Sequence, residues 1–383
     1  MSVKKIYLDY NATTPVAPSV VDQMQPFFTE HFGNPSCDYS LGRAASEAIE
    51  DARSRVASLM GCDLEEVIFT SGGTEASNLA ICGTMFRVGP AVTGHMVISS
   101  VEHPAVSEPA RFLQRLGYGL TVVDCDANGY VHPSAVEAAL QEDTRLVSVM
   151  HANNEVGTVQ PIRQIAEICH GRDILVHTDA CQSAGKIQTM VDELGVDLLT
   201  IAGHKFYGPK GVGALYVRSG VGLEPFLRGG GQERGIRAGT ENTPLIVGLG
   251  QAAYLAVNCL GETVPRLSEL RDRLQDKLQD GIPGLIVHAE NVERLPNTLS
   301  VSFPGMSGQE MLKRVPEICA STGSACHTEM EMHSVTLSAM RVEQEVIRGT
   351  VRLSIGWNTS EEDLDRAASL LLDAWETGNG QAL

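Results

Sequence analysis

An α/β fold is what the sequence predicts, with a mainly parallel seven-stranded sheet covered on both faces and a smaller α+β unit after it. Three observations carry this. Seven short apolar, β-branched runs recur, at Val67 to Thr70, Met96 to Ser100, Leu120 to Asp124, Leu146 to Met150, Ile174 to His177, Leu198 to Ala202 and Ala214 to Val217. Helix-period stretches lie between several of them, namely Ala45 to Leu59, Ala105 to Leu116 and Ile162 to His170. Strand and helix in alternation build a parallel sheet, because a parallel partner is reached only by a long crossover. The third observation is a change of pattern after about residue 260, to a charged helix (Leu267 to Leu278), strand-like Asn297 to Phe303 and Val351 to Ile355, and an amphipathic closing helix, Ser360 to Trp375. Parallel sheets bind ligands at the carboxyl ends of their strands, so the residues just after each run are the first candidates for chemistry.

Composition bounds the function. At 383 residues and 43% hydrophobic content the chain can bury a large core. Lys and Arg total 29 against 47 Asp and Glu, a formal charge of −18, which repels nucleic-acid backbones and anionic lipid. Neither is expected as a direct partner. The two early lysines are followed by no apolar stretch of signal-peptide length, and no later run reads as long enough to span a bilayer, so a cytoplasmic location is expected. Nine cysteines without a C-x-x-C pair suit neither a disulfide framework nor a structural zinc site. Most are expected to be reduced, buried, small apolar residues, and no metal is expected. Walker, G-x-G-x-x-G and H-E-x-x-H motifs are all absent.

The chemistry-bearing residues follow strands. Of seven lysines, Lys205 stands directly after Leu198 to Ala202, in Ala-Gly-His-Lys-Phe-Tyr-Gly-Pro, where a partly desolvated amine can form a Schiff base. Asp179, in His-Thr-Asp-Ala-Cys-Gln, is a carboxylate placed to keep a pyridine nitrogen protonated, with Gln182 three residues on to meet a ring oxygen. Thr70-Ser-Gly-Gly-Thr-Glu joins a strand to a helix through two glycines, a phosphate cradle that includes Gly73 and Thr74. His103 can stack on an aromatic ring, and Asn154 can contact a ligand. Each has an ordinary structural reading when taken alone: surface lysine, helix cap, tight turn. Their recurrence after different strands of one sheet is what favours a site.

Longer motifs then carry a resemblance. Leu8-Asp-Tyr-Asn-Ala-Thr-Thr-Pro, Phe32-Gly-Asn-Pro-Ser, Ser71-Gly-Gly-Thr-Glu, Asn153-Asn-Glu-Val-Gly, Gly203-His-Lys and Gly229-Gly-Gly-Gln-Glu-Arg-Gly-Ile-Arg-Ala-Gly-Thr-Glu-Asn resemble the cysteine desulfurases of the class V aminotransferase family, nearly end to end. The chain is also similar to selenocysteine lyases in Gly203-His-Lys-Phe-Tyr-Gly-Pro and Gly323-Ser-Ala-Cys-His. The resemblance implies the pyridoxal 5'-phosphate transferase fold type I, with a large cofactor-binding domain (residues 16–258) and a small domain (1–15 and 259–383) carrying the catalytic-cysteine loop. It implies that Lys205 forms the Schiff base with the cofactor, Asp179 and Gln182 hold its ring, His103 stacks on it and serves the proton relay, and Gly73, Thr74 and His204 contact the phosphate. Thr240 is implied to reach the partner's phosphate in a homodimer, and Arg352 to clamp the substrate carboxylate with Asn154 assisting.

Cys326, in Ser321-Thr-Gly-Ser-Ala-Cys-His, has the strongest claim of the nine cysteines to reactivity, since its motif resembles the Ser-Gly-Ser-Ala-Cys group that carries the nucleophile on a loop. The implied reaction turns L-cysteine into L-alanine and leaves a persulfide on Cys326 for a sulfur-acceptor protein; the rival is selenocysteine lysis with the same machinery. An iron–sulfur scaffold, a tRNA-thiolation carrier and a DNA-sulfur-modification partner are all compatible acceptors. Two departures stand out: Ala202, where relatives often have a phosphate-binding serine, and Trp357, where arginine is frequent.

Overall fold

The apolar runs are nearly unbroken because both faces of the sheet they build are covered. The computed structural model describes residues 4–87, 94–322 and 334–379. Seven strands form one sheet: β1 (Val67–Thr70), β2 (His95–Ser99), β3 (Gly119–Val123), β4 (Thr144–Ser148), β5 (Leu175–Asp179), β6 (Leu198–Ala202) and β7 (Gly213–Val217). Their order is β1-β7-β6-β5-β4-β2-β3, and only β7 runs antiparallel to its neighbours. The carboxyl ends of the other six therefore share one edge. Observed strands differ from the expected runs by one or two residues at their ends; the shift that matters is in β5, which continues through Asp179 and so fixes that carboxylate on the sheet. Only β3, at the sheet edge, is substantially open, with Val122 48% exposed.

Helices cover the two faces. Packed with one core are α1 (Ser40–Met60), α4 (Ile162–His170) and the first part of α5 (Thr243–Gly281), while α2 (Gly73–Phe86) and α3 (Pro104–Arg115) pack on the other. α1 and α5 approach closely at Gly250, where a Cβ would lie 2.5 Å from the Cα of Ala52. A polar ladder crosses the sheet in this apolar setting: His177 Nδ1 is 2.8 Å from Ser148 Oγ, its Nε2 is 3.0 Å from Thr200 Oγ1, and Ser77 Oγ donates to Thr200 at 3.3 Å. It ties β4, β5, β6 and α2 together beneath the carboxyl edge.

The helix expected over Leu267 to Leu278 is the distal part of α5, which spans 39 residues and passes through Pro265 without ending. Its first half was not legible because its apolar residues change partners along its length. Ile246, Leu249, Ala252, Ala253 and Ala256 join the sheet core, whereas Leu267, Leu270, Leu274 and Leu278 join a second core. By length and composition alone, α5 is the one helix among the described residues that could cross a bilayer, contrary to the sequence expectation, and 44% of its qualifying stretch is buried, its residues serving both cores. The second core is completed by Ile6 and Leu8, by the antiparallel strands β8 (Ile286–Val287), β9 (Thr298–Ser302) and β10 (Thr350–Ser354) in the order β10-β9-β8, and by α6 (Glu361–Asn379). The short strands Ile6–Tyr7 and Ile318–Cys319 pair in parallel beside it.

The Gly-rich loop is bolted down by charge. Glu233, 6% exposed, accepts from Arg53 Nη1 and Nη2, both at 2.9 Å, and from Phe69 N at 2.8 Å; Arg237 Nε donates to Glu75 at 2.7 Å. The cysteines correct an expectation. Among the described ones only Cys82, Cys125 and Cys169 are buried, and the other five, Cys259 included, are half-buried.

His151, His177 and His288 are buried, and desolvation pushes each down to about 4. Between pH 6.5 and 4 the unfolded chain takes up protons at these rings that the folded protein refuses, so stability falls as pH drops through that window. Glu102, raised by burial to about 8, and Glu155, also raised by burial, act in the opposite direction, but His95, His103 and His204 are lowered by desolvation as well and add to the histidine side. Urea unfolding is expected to show a lower midpoint at pH 5 than at pH 7, and His177→Gln to make the fall shallower; a pH-independent midpoint contradicts this.

Candidate active site

The site is assembled around a residue from the start of the chain. Asn11, 1% exposed, is carried to the carboxyl edge of the sheet by the segment after Ile6–Tyr7. Its N donates to Ser354 Oγ (3.0 Å) and its Nδ2 to Thr298 Oγ1 (2.8 Å) and Asn154 O (3.3 Å). Its Oδ1 accepts from Asn297 Nδ2 (3.0 Å) and Lys186 Nζ (3.3 Å), and its backbone O from Gln182 Nε2 (2.9 Å) and Lys205 Nζ (2.8 Å).

Lys205 ends the turn Gly203–Lys205 directly after β6, and its amine also donates to Ala12 O at 2.9 Å. Burial lowers its pKa; the neighbouring Cys181, Asp179 and Asp9 oppose this, and Arg352 adds to it. Such an amine can reach its neutral, nucleophilic form. Asp179 closes β5, 5% exposed, and its Oδ1 accepts from Cys181 N at 2.9 Å, turning the chain so that Gln182 points back at Asn11. His204 Nδ1 meets Thr13 Oγ1 at 3.2 Å, and burial, reinforced by Lys205, Lys210 and Lys186, pushes the ring down to about 4.

His103 caps α3: Ala105 N donates to its Nδ1 at 3.0 Å, which leaves the proton of the neutral ring on Nε2. The residue is partly accessible, and desolvation of its ring lowers the pKa, with Asp179 opposing and Lys205 assisting. Just before it, Glu102 Oε1 accepts from Ser99 Oγ (2.5 Å) and Met150 N (2.8 Å), clasping the ends of β2 and β4.

Gly72 and Gly73 open α2, whose first N–H groups have no partner within the helix. A Cβ on Gly73 would stand 2.7 Å from Cys181 Sγ and 3.3 Å from Ala202 Cβ, so the helix start is pressed against the ends of β5 and β6 and only glycine fits. Thr74 is exposed there. The Ala202 side chain is part of this floor, which explains why a small residue is accommodated.

Arg352, 5% exposed on β10, donates from Nη1 to Asn154 O (2.8 Å) and from Nη2 to Asp9 Oδ1 (2.7 Å), while its buried Nε has no hydrogen-bond partner among the described residues. The backbone of the same residue pairs with Ser321, at 2.7 and 3.3 Å. Trp357 stacks on Tyr207 with centroids 3.7 Å apart and its N donates to the Tyr207 hydroxyl at 2.7 Å, a contact two residues beyond Lys205. That gives the departure at Trp357 a physical role. Thr240 is exposed, away from this cluster's hydrogen bonds, and Cys326 lies outside the described residues.

The structure thus brings together Lys205, Asp179, Gln182, His204, Asn154 and Arg352. Sequence reasoning assigned no role to Asn11, Asp9, Lys186 or Glu102. Asn11 and Asp9 sit inside a quoted motif, and the four-residue spacing of Gln182 and Lys186 was the available signal for that pair. Chemically, the cluster offers an amine to capture a carbonyl carbon, a carboxylate for a ring nitrogen, an anion cradle and a guanidinium.

Comparison with known proteins agrees with this geometry. The Aminotransferase class-V family model matches residues 6–367. The chain is 44% identical over 370 residues to "Cysteine desulfurase IscS" of Dictyoglomus turgidum, covering 96% of this chain and 94% of the relative. A solved NifS-like protein superposes with a TM-score of 0.91 at 35% identity, covering 97% of this chain and 100% of that one. A structure of SspA in complex with cysteine superposes with a TM-score of 0.81 at 35% identity, covering 92% and 99%.

Borohydride reduction of the protein incubated with pyridoxal 5'-phosphate, followed by peptide mapping, is expected to put the label on Lys205, and Lys205→Ala to lose the visible absorption. A label on Lys186 or Lys210 contradicts the assignment.

Proposed function

Since the chain belongs to the Aminotransferase class-V family and is a cysteine desulfurase, we propose that it converts L-cysteine to L-alanine by passing the substrate sulfur to Cys326, with pyridoxal 5'-phosphate held at Lys205. The observation that carries this reading is the meeting of Lys205, Gln182 and Arg352's neighbour Asn154 on the single residue Asn11. The residues fit the cofactor: an amine of lowered pKa, a buried carboxylate at a strand end, and a helix start so close to Cys181 that a Cβ on Gly73 would fill it. When bound, pyridoxal phosphate supplies an electron sink for the pair left on the substrate Cα as its proton departs.

This chain's own residues do the rest. Lys205 would hold the cofactor through its amine, whose lowered pKa favours the nucleophilic form. Asp179 would keep a pyridine nitrogen protonated, and Gln182 Nε2 would have a hydrogen for a ring oxygen. His103 would stack on the ring and, with Nδ1 engaged by Ala105 N, would exchange a proton at Nε2. Gly73, Thr74 and His204 hold the phosphate. Arg352 takes the substrate carboxylate: its Nε, without a partner among the described residues, is a donor available to an acceptor, and Nη2 exchanges Asp9 for the incoming anion, with Asn154 steadying Nη1. The Cys326 thiolate attacks the substrate sulfur. The S–S bond forms as the C–S bond breaks, the electron pair stays with carbon, which takes a proton, and alanine leaves with a persulfide on Cys326. Pairing of Ser321 with Arg352 starts the Cys326 segment beside the carboxylate clamp.

A homodimer, a cytoplasmic location and a protein acceptor of the persulfide belong to the same proposal, and iron–sulfur cluster assembly is the process the relationship supports. Exposed Phe28, Phe32, Tyr39, Leu41, Phe226 and Leu227 supply apolar surface for a second copy, and the exposed Thr240 on its anchored loop is available to the partner's phosphate. The division into residues 16–258 and 1–15 with 259–383 is supported by the packing of Ile6 and Leu8 with Leu267 and later residues, while Ala289, Leu337, Met340 and Ile347 from the later range join the sheet core.

Cys326→Ser is expected to keep the visible spectrum and its response to L-cysteine while sulfide release falls by about 100-fold or more, because only the sulfur-transfer step uses the thiol. Mass spectrometry after one turnover is expected to find the extra sulfur on the Cys326 peptide; finding it on another cysteine sinks the proposal. Arg352→Leu is expected to raise KM for cysteine by about 10- to 100-fold through loss of a charge-assisted bidentate contact. Steady-state kinetics checks this, and an unchanged KM removes Arg352 from the site.

A further inference from the structure

Lys186 has no part in the reading above, although it is only 6% exposed and beside the catalytic amine. No carboxylate lies within ion-pair distance of it among the described residues; its Nζ instead donates to Gln182 Oε1 at 2.9 Å and to Asn11 Oδ1 at 3.3 Å. Enclosing an amine without a counter-charge is costly, and a surface position four residues after Gln182 would avoid that cost. Its geometry gives a reason for the burial.

We propose that Lys186 is a positioning residue: by occupying Gln182 Oε1 and Asn11 Oδ1 it fixes the orientation of both amides, and through them the donors and acceptors that hold Lys205 and the cofactor ring. The inference rests on the reading of Lys205 as the cofactor-binding lysine.

The orientation argument runs through hydrogen-bond capacity. A side-chain amide has a donor end and an acceptor end, and it can turn over unless its neighbours distinguish them. Gln182 faces Asn11 O on one side, which accepts only, so the Gln182 Nε2 end must point there. Lys186 supplies the complementary group on the other side, a donor that only an oxygen can satisfy. With Oε1 engaged and one Nε2 hydrogen on Asn11 O, the second hydrogen remains for a ligand oxygen. Asn11 is sorted in the same way, its Oδ1 between Lys186 and Asn297 Nδ2 and its Nδ2 on Thr298 Oγ1 and Asn154 O. The Asn11 backbone O so placed accepts from Lys205 Nζ. Desolvation pushes the Lys186 pKa well down, and the charges of Lys205 and Arg352 push it further, with Cys181 opposing; Lys205 itself also faces Asp179 and Asp9.

The test uses the purified protein carrying its cofactor. The pH midpoint of the change in its visible band reports the proton on the group that Lys205 forms, and loss of an oriented donor on the ring oxygen moves that midpoint up. Lys186→Met is expected to raise it by about 0.5 unit or more and to lower kcat by about 10-fold with KM for cysteine within about threefold. In a double-mutant cycle, Lys186→Met with Gln182→Leu is expected to shift the midpoint no further than the larger single change, because the two act through one contact. A lower thermal midpoint with an unmoved spectral midpoint overturns the proposal, as does simple additivity in the cycle. If Lys186→Met does not fold, Lys186→Gln is measured by the same criteria. Absence of a visible band in the unaltered protein, or its label on another lysine, overturns the Lys205 reading and this inference with it, whereas a normal band that ignores Lys186 overturns this inference alone.

Discussion

Both halves of the site depend on Asn11, whose four polar groups are divided between them. Its amide N and Nδ2 reach Ser354 and Thr298 on β10 and β9, while its carbonyl receives Gln182 and Lys205 from the sheet edge. Each bond is worth about 1 kcal/mol net, but a buried partner left unsatisfied costs more, so the set can be formed only together. The consequence is geometric. A residue near the start of the chain decides where the Lys205 amine, from the middle of the chain, stands relative to an arginine near its end.

Two further contacts hold that arrangement without touching Asn11. Tyr207 and Trp357 stack across the same boundary, and α5 runs unbroken from one core to the other. Arg352 combines two roles, since its guanidinium faces Asp9 and Asn154 while its backbone pairs with Ser321. The guanidinium proposed to take the substrate carboxylate and the pairing of Ser321 thereby share one strand register.

The electrostatics are opposed on two scales. The chain carries a formal charge of −18, yet Lys186, Lys205 and Arg352 are gathered in one enclosed place, with Asp9 and Asp179 facing Lys205 and Glu155 facing Arg352. A collection of cations in low dielectric lowers its own proton affinity, which favours a neutral amine at Lys205, and it attracts the carboxylate of an amino acid and a phosphate. Acidic charge elsewhere keeps that attraction local.

Local pattern determined much of this protein. Apolar runs of strand length gave the parallel sheet because their period is local. Residues directly after those runs, such as Lys205, Asp179 and His103, were legible because strand ends fix position irrespective of distant partners. The full length of α5 was not, because a helix that serves two cores shows no single apolar face. Nor was the role of Asn11, Lys186 or Glu102, whose importance lies in which distant groups they satisfy. Lys186 reads as an ordinary lysine until burial removes its water, and Trp357 as an anomaly until Tyr207 lies flat against it. Sequence specifies which groups are available; only the tertiary structure decides which of them are deprived of solvent and must therefore find each other.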